Sequence, residues 1–168
     1  MRSSADGGRR AFTMIELVVV ILIMSIFGAV AAPAFFDALL YHRVESAARR
    51  VKADIDHARQ RARLTSAAQA ITFASSTYTL AGVKGLDHAY NTYSVNLRKS
   101  PYSLDSAAAN FGGTQTLSFD GYGTPSSSGA VVLTAKAHQC TVTVDGTTGG
   151  TTMTSNHPGG GTAQAAGG

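Results

Sequence analysis

The groups able to do chemistry are few and scattered. His42, His57, His88, His138 and His157 show no spacing that would bring two imidazoles to one metal ion. Cys140 is the sole cysteine, which excludes an internal disulfide and a Cys-rich zinc site. It shares a strand face with Val142 and Val144, the setting of a small buried hydrophobe rather than a nucleophile. Asp54 and Asp56 would face different sides of a helix and make a poor acid–base pair. Asp120 and Asp145 each precede Gly, so turn formation outweighs calcium binding. No Walker A loop, His-Glu-x-x-His or Gly-x-Ser-x-Gly pattern occurs. The expectation is a non-enzymatic protein without cofactor or metal. Glu16 differs from the rest, because it directly precedes an uncharged run from Leu17 to Phe36.

That run is 20 residues long, and a helix needs about 20 to cross the hydrocarbon core of a bilayer. Val18 to Met24 is apolar all round, which disfavours a buried core helix with one polar face. Three roles compete. Arg9 and Arg10 followed by Ala29-Val30-Ala31 fit a cleaved secretory signal. Arg9-Arg10-Ala11-Phe12 superficially fits a twin-arginine signal. The third role is a retained anchor with a short leader. A carboxylate at the head of the apolar run is a liability in a segment that only directs export, so Glu16 argues for the anchor. Thr13-Met14-Ile15-Glu16 is also a capping box, with Thr13 as N-cap and Glu16 closing the first turn. Orientation is ambiguous from charge alone. Arg2, Arg9 and Arg10 precede the run, and Arg43, Arg49, Arg50 and Lys52 closely follow it.

Arg9-Arg10-Ala11-Phe12-Thr13-Met14-Ile15-Glu16-Leu17, with the apolar run after it, resembles the type IV prepilin signature. The resemblance implies cleavage by a prepilin peptidase between Ala11 and Phe12 and N-methylation of Phe12. The residue before the cut is Ala11 where the family usually has Gly. The resemblance also implies that Glu16 meets the positive N-terminus of a neighbouring subunit, with Phe12 at that contact, and that the N-terminus is cytoplasmic. Pro33, 21 residues after Phe12, matches the helix-kinking proline of many type IV pilins, and Gly28 could bend the helix too.

Beyond Asp37 the pattern becomes amphipathic. Leu40, Val44, Ala47, Val51, Ile55, Ala58 and Ala62 recur every three or four residues, a mean of about 3.7, close to the helical period. Glu45 and Arg49 stand in the favourable i,i+4 order. One helix from Thr13 to Thr65 would span about 80 Å. Its basic face, with Arg43, Arg50 and Arg61, reads as solvated surface, or as a face toward lipid headgroups or acidic neighbours. The positive excess lies wholly in residues 1–63, with ten Lys+Arg against six Asp+Glu; residues 64–168 carry four of each. Nucleic acid is therefore not expected as a partner.

From Ala70 the period changes to two. Ala70–Phe73 and Thr77–Leu80 flank Ser75-Ser76 as a hairpin. Tyr93–Leu97 and Thr116–Phe119 alternate, and Ala130–Ala135 pairs naturally with Cys140–Val144. The expected fold is α+β: a long N-terminal helix, half membrane-spanning and half amphipathic, packed on a small antiparallel β-sheet or sandwich. About 80 residues of strand make a marginal core, whose missing face the helix would supply. The expected organisation is a leader at 1–11, a transmembrane helix at 12–37, its amphipathic continuation at 38–66, a β-domain at 67–146 and a flexible Gly/Thr-rich tail at 147–168.

Phe119-Asp120-Gly121-Tyr122-Gly123, Val131-Val132-Leu133, Thr141–Asp145 and the helix end around Ala58-Arg59 resemble the minor pseudopilins of the type II secretion protein H and FimT-like group. In that group a further strand often closes the domain; here Gly149-Gly150-Thr151-Thr152-Met153 leaves it in doubt. The resemblance implies a subunit of a type II secretion pseudopilus or type IV pilus-like filament. It is held as a single-pass protein of the bacterial inner membrane, with its C-terminal domain in the periplasm, until assembly. The implied partners are prepilin peptidase, other pilin or pseudopilin subunits, inner-membrane lipid and an inner-membrane assembly platform. The alternative from another class is a membrane-anchored or exported β-domain that binds a ligand and has no part in filaments.

Overall fold

The structure, a computed structural model, describes residues 12–85, 92–157 and 160–165. The chain divides into two compact units, Met1–Ala38 and Leu39–Gly168.

Helix α1 covers Met14–Thr65. It starts where the sequence places a cap: the Glu16 N–H donates to Thr13 Oγ1 at 3.3 Å. In the first unit every described side chain from Phe12 to Ala38 is exposed. The Ser25 hydroxyl donates to the Ile21 carbonyl of the preceding turn, which satisfies it without water. Among the described residues no helix is long and apolar enough to cross a membrane.

In the second unit α1 supplies one wall of the core. Val44, Ala47, Val51, Ile55, Ala58 and Ala62 are buried, Leu40 packs against them, and Ala48 joins the same face. Alanine at four of these positions lets the helix axis approach the strands closely. The helix stops at Ser66, which takes a positive φ of 49°, and the Ala67 N–H turns back to the Ala62 carbonyl at 3.3 Å.

The strands are β1 (Gln69–Ala74), β2 (Thr77–Lys84), β3 (Thr92–Asn96), β4 (Ser106–Phe111), β5 (Thr116–Phe119), β6 (Gly129–Ala135), β7 (His138–Val144), β8 (Thr151–His157) and β9 (Gly160–Ala165). They form two antiparallel sheets, ordered β3-β2-β1-β5 and β4-β6-β7-β8-β9. The β1–β2 hairpin pairs Ile71 with Leu80 and Phe73 with Tyr78. The β6–β7 hairpin pairs Val131 with Val142 and Leu133 with Cys140. In both, alternate residues point into the core, so a one-residue slip would expose the whole set. Phe73 meets Tyr78 at 5.3 Å and Phe111 at 6.0 Å between ring centroids, which joins β1 and β2 to β4 of the other sheet.

One expectation needs correction. The segment from 147 is not a flexible tail through its described length. Residues Thr151–His157 form β8, paired with β7 from Thr151↔Val144 to Asn156↔Gln139, and β9 adds to its outer edge. Thr151, Met153 and Ser155 are buried there, so the doubted closing strand exists. β4 has no strand signal of its own: Ser106-Ala107-Ala108-Ala109 has the composition of a good helix former. Its complete pairing with β6 overrides that local preference.

Candidate functional site

The residues singled out for assembly lie at the start of α1. Phe12 is 78% exposed, and Glu16 in the first helical turn is exposed as well. The Thr13 hydroxyl takes the Glu16 amide, which is one half of a capping box. Glu16 makes no ion pair among the described residues. Its carboxylate therefore stands beside a continuous exposed apolar surface from Leu17 onward. Gly28 lies within α1, and a Cβ there would meet nothing within 4 Å. Pro33 also lies within α1, but its side chain falls outside the described residues. So do Ala11, the rest of the 1–11 leader, and His88.

The polar groups of the second unit fall into two structural sets. In the first, Asp54 is buried and its Oδ2 accepts from Tyr78 Oη at 2.5 Å, Tyr93 Oη at 2.7 Å and Arg50 Nε at 3.3 Å. Arg50 also donates to Tyr93 Oη, and its guanidinium lies 5.8 Å from the centre of that ring. The hydrogen bond to Tyr93 raises the Arg50 pKa above its ordinary value, and Asp54 adds to the effect. Burial pushes the Tyr78 phenol up, and donation to Asp54 pushes it further. The knot ties one turn of α1 to β2 and β3 with every charge paired. Asp56 faces elsewhere, toward Lys52 at 3.4 Å and the Thr151 hydroxyl, so the two aspartates do not converge.

In the second set, arginines near the end of α1 hold two loops and strand β2 by their backbone carbonyls. Arg59 Nε donates to the Gly123 carbonyl at 3.3 Å, and its Nη2 to that of Thr148. Arg61 Nη2 donates to the Gly82 carbonyl at 2.7 Å, and Arg63 Nε to that of Tyr122 at 2.9 Å. The loops are built from within by aspartates. Asp120 Oδ1 takes the amides of Tyr122 and Thr124, and Asp145 Oδ1 those of Thr147 and Thr148. These two aspartates are turn formers, as their Asp-Gly sequences imply. The Asp145 carboxyl is held below its ordinary pKa, first by the Thr148 amide.

The basic face of α1 is therefore not simply solvated: Arg50 and Arg61 are engaged inside the domain. The sequence carried a signal for the role of the later arginines. Lys52, Asp56, Arg59 and Arg63 repeat the four-three-four spacing of the apolar stripe and so share one helix face.

Cys140 is buried beneath α1, and burial raises its thiol to about 11. His42 and His57 are exposed on α1, whereas His138 is buried and its ring lies 6.0 Å from that of Tyr41. Among the described residues no group of three His, Cys, Asp or Glu side chains could hold a metal ion.

Comparison with protein families gives two matches. The prokaryotic N-terminal methylation motif matches residues 7–32, the stretch that contains Phe12, Glu16 and most of the apolar run. The type II transport protein GspH model matches residues 47–150, from the buried face of α1 to the β7–β8 turn. Neither the curated proteins nor the solved structures give a significant match.

Proposed function

The chain belongs to the type II transport protein GspH family, and from that premise we propose that it is a minor pseudopilin-like subunit assembled through α1 into a filament. The filament is a type II secretion pseudopilus or a type IV pilus-like fibre. The role is structural rather than catalytic, as for the pseudopilins of this family. The observation that carries the reading is the conjunction at the N-terminus. A methylation motif over residues 7–32 coincides with a capped helix start, an exposed carboxylate with no ion pair among the described residues and an apolar surface.

In this reading prepilin peptidase cuts between Ala11 and Phe12 and methylates the Phe12 amine. The segment 12–37 holds the subunit in the bacterial inner membrane, with its C-terminal domain periplasmic. An isolated carboxylate in lipid is costly, so the amine of a neighbouring subunit approaching Glu16 gains free energy on pairing. The apolar side chains of Leu17 to Phe36 then exchange lipid for the helices of neighbouring subunits, on an inner-membrane assembly platform. Gly28 and Pro33 allow local bending during that packing.

Intact-mass analysis of the chain from its own host tests the reading. The expected species lacks residues 1–11 and carries one added methyl group. Its side chains then number eleven basic against nine acidic, because Arg2, Arg9, Arg10 and Asp6 are gone. A mature terminus at Ala32 would instead identify a secretory signal and favour an exported β-domain.

A further inference from the structure

Arg59 and Arg63 stand one turn apart on α1, and neither has a carboxylate partner among the described residues. The carboxylates of the same helix face their own partners: Glu45 pairs with Arg49, Asp54 with Arg50 and Asp56 with Lys52. Arg59 and Arg63 bond instead to carbonyls of Gly123, Thr148 and Tyr122. A carbonyl orients a guanidinium without neutralising it. The loops are shaped around these two side chains. At Gly123, φ is +79° and a Cβ would lie 2.5 Å from Arg63 Nε; at Gly149, φ is +67° and a Cβ would lie 2.9 Å from Arg59 Nε. Side chains larger than hydrogen would displace both arginines. The guanidiniums are thus held in place before any ligand arrives.

Both arginines line a groove of about 540 Å³ together with Lys52, Asp56 and Asp145. The two acids in it are already committed. Asp56 pairs with Lys52 and the Thr151 hydroxyl, and Asp145 caps its own turn. Arg63 also walls a second hollow, with Ser66, Gly121 and Tyr122. Beside it stand Leu64, 86% exposed, and Tyr122, 85% exposed. Among the described residues of Leu39–Gly168 these are the only exposed large hydrophobic side chains, and both belong to the α1 end and the loop that Arg63 holds.

We propose that this end of the domain is a docking surface for an acidic segment of another protein chain. Its carboxylates would take the free guanidinium donors of Arg59 and Arg63, and an adjacent apolar side chain would lie on Leu64 and Tyr122. A planar guanidinium matches a carboxylate through paired N–H donors, and tyrosine and arginine are the side chains that most often dominate protein interfaces. Nucleic acid fits less well. A polyphosphate needs a row of cations, whereas Asp56 and Asp145 interrupt the groove between Lys52, Arg59 and Arg63.

The test is fluorescence anisotropy with the full chain in detergent micelles, titrated with a labelled peptide of alternating glutamate and leucine. Saturable, salt-weakened binding is expected, reduced about tenfold by Arg63→Gln, the loss of one charge-assisted contact. Arg63 also holds a loop, so Tyr122→Ser and Leu64→Ser are measured beside it. Both positions are exposed, so melting temperature should stay unchanged while binding weakens. The proposal fails if no saturable binding occurs, or if a glutamine-for-glutamate peptide binds equally well. It fails also if none of the three variants weakens binding, or if a single-stranded oligonucleotide binds tighter than the acidic peptide. None of these outcomes bears on cleavage at Phe12, which the mass measurement reads separately.

Discussion

Glu16 is one residue with two separable physical roles. Its amide completes the Thr13 cap, and in the proposed filament its carboxylate pairs with a neighbouring amine. Glu16→Val should leave membrane insertion and cleavage intact, because the run only becomes more apolar and the small residue at the cut is untouched. Filament assembly, followed by recovery of sheared fibres or by subunit cross-linking, should fail or slow, because the neighbouring amine stays unpaired in a low-dielectric setting. Loss of capping alone would cost about 1 kcal/mol at the end of a helix that the bilayer holds in the proposed role, and should hardly affect assembly. Glu16→Gln can still close a capping box but cannot neutralise an ammonium. If Gln assembles like wild type while Val does not, capping suffices and charge pairing is wrong. Asp54 offers a second test. Asp54→Asn replaces a triple acceptor by a group that must turn a donor toward Tyr78, Tyr93 or Arg50. A loss of about 1–3 kcal/mol in urea denaturation is expected. It should stay below the cost of breaking a fully buried pair, since Arg50 keeps 40% of its side chain in solvent.

At the scale of elements, α1 and β8 both complete the core. α1 contributes small residues to a tight contact, so Ala58→Leu should overpack and cost about 1–3 kcal/mol, measured by the same denaturation. β8 covers the edge of β7 and buries Met153. A chain ending at Gly150 loses that cover and leaves β7 as a bare edge. It should melt several degrees lower and aggregate on heating, as exposed edges do. A dispensable tail would instead leave the melting temperature unchanged.

The whole molecule carries two further tests. A fragment starting at Leu39, the boundary of the second unit, should dissolve in water without detergent and give a circular dichroism spectrum of mainly β character with one helix. A mostly helical spectrum would contradict the two-sheet architecture. The second test is alkaline stability. Cys140 and Tyr78 both have acid forms favoured by burial, the thiol rising from 9.0 to about 11 and the phenol also rising. A raised folded pKa means that the unfolded chain loses its proton first. Stability should therefore be full below pH 9 and fall as pH rises between about 9 and 11. Cys140→Ala should remove the thiol's share of that fall, and native Cys140 should react slowly with a maleimide at pH 8.

Most of what the sequence determined by itself is periodic or punctual. The uncharged run, the stripe from Leu40 to Ala62, the Thr13 cap, the Asp-Gly turns and the two hairpins are read from neighbours a few residues apart. Their physical causes, helical period, strand alternation and turn stereochemistry, are equally local. The proposed processing residues Ala11 and Phe12 and the proposed assembly residue Glu16 rest on the same kind of local signal, a short motif that adjoins an apolar run. Other features depended on partners far along the chain. β4 is alanine-rich and β8 threonine-rich, and each becomes a strand through pairing, with β6 and β7 respectively. The burial of Asp54 needed Tyr78 and Tyr93, 24 and 39 residues away. Arg59 and Arg63 read as surface charge until the loops at Tyr122, Gly123 and Thr148 folded against them. Only tertiary structure could decide these, because an alanine, a carboxylate or a guanidinium has no fixed environment until the chain closes around it.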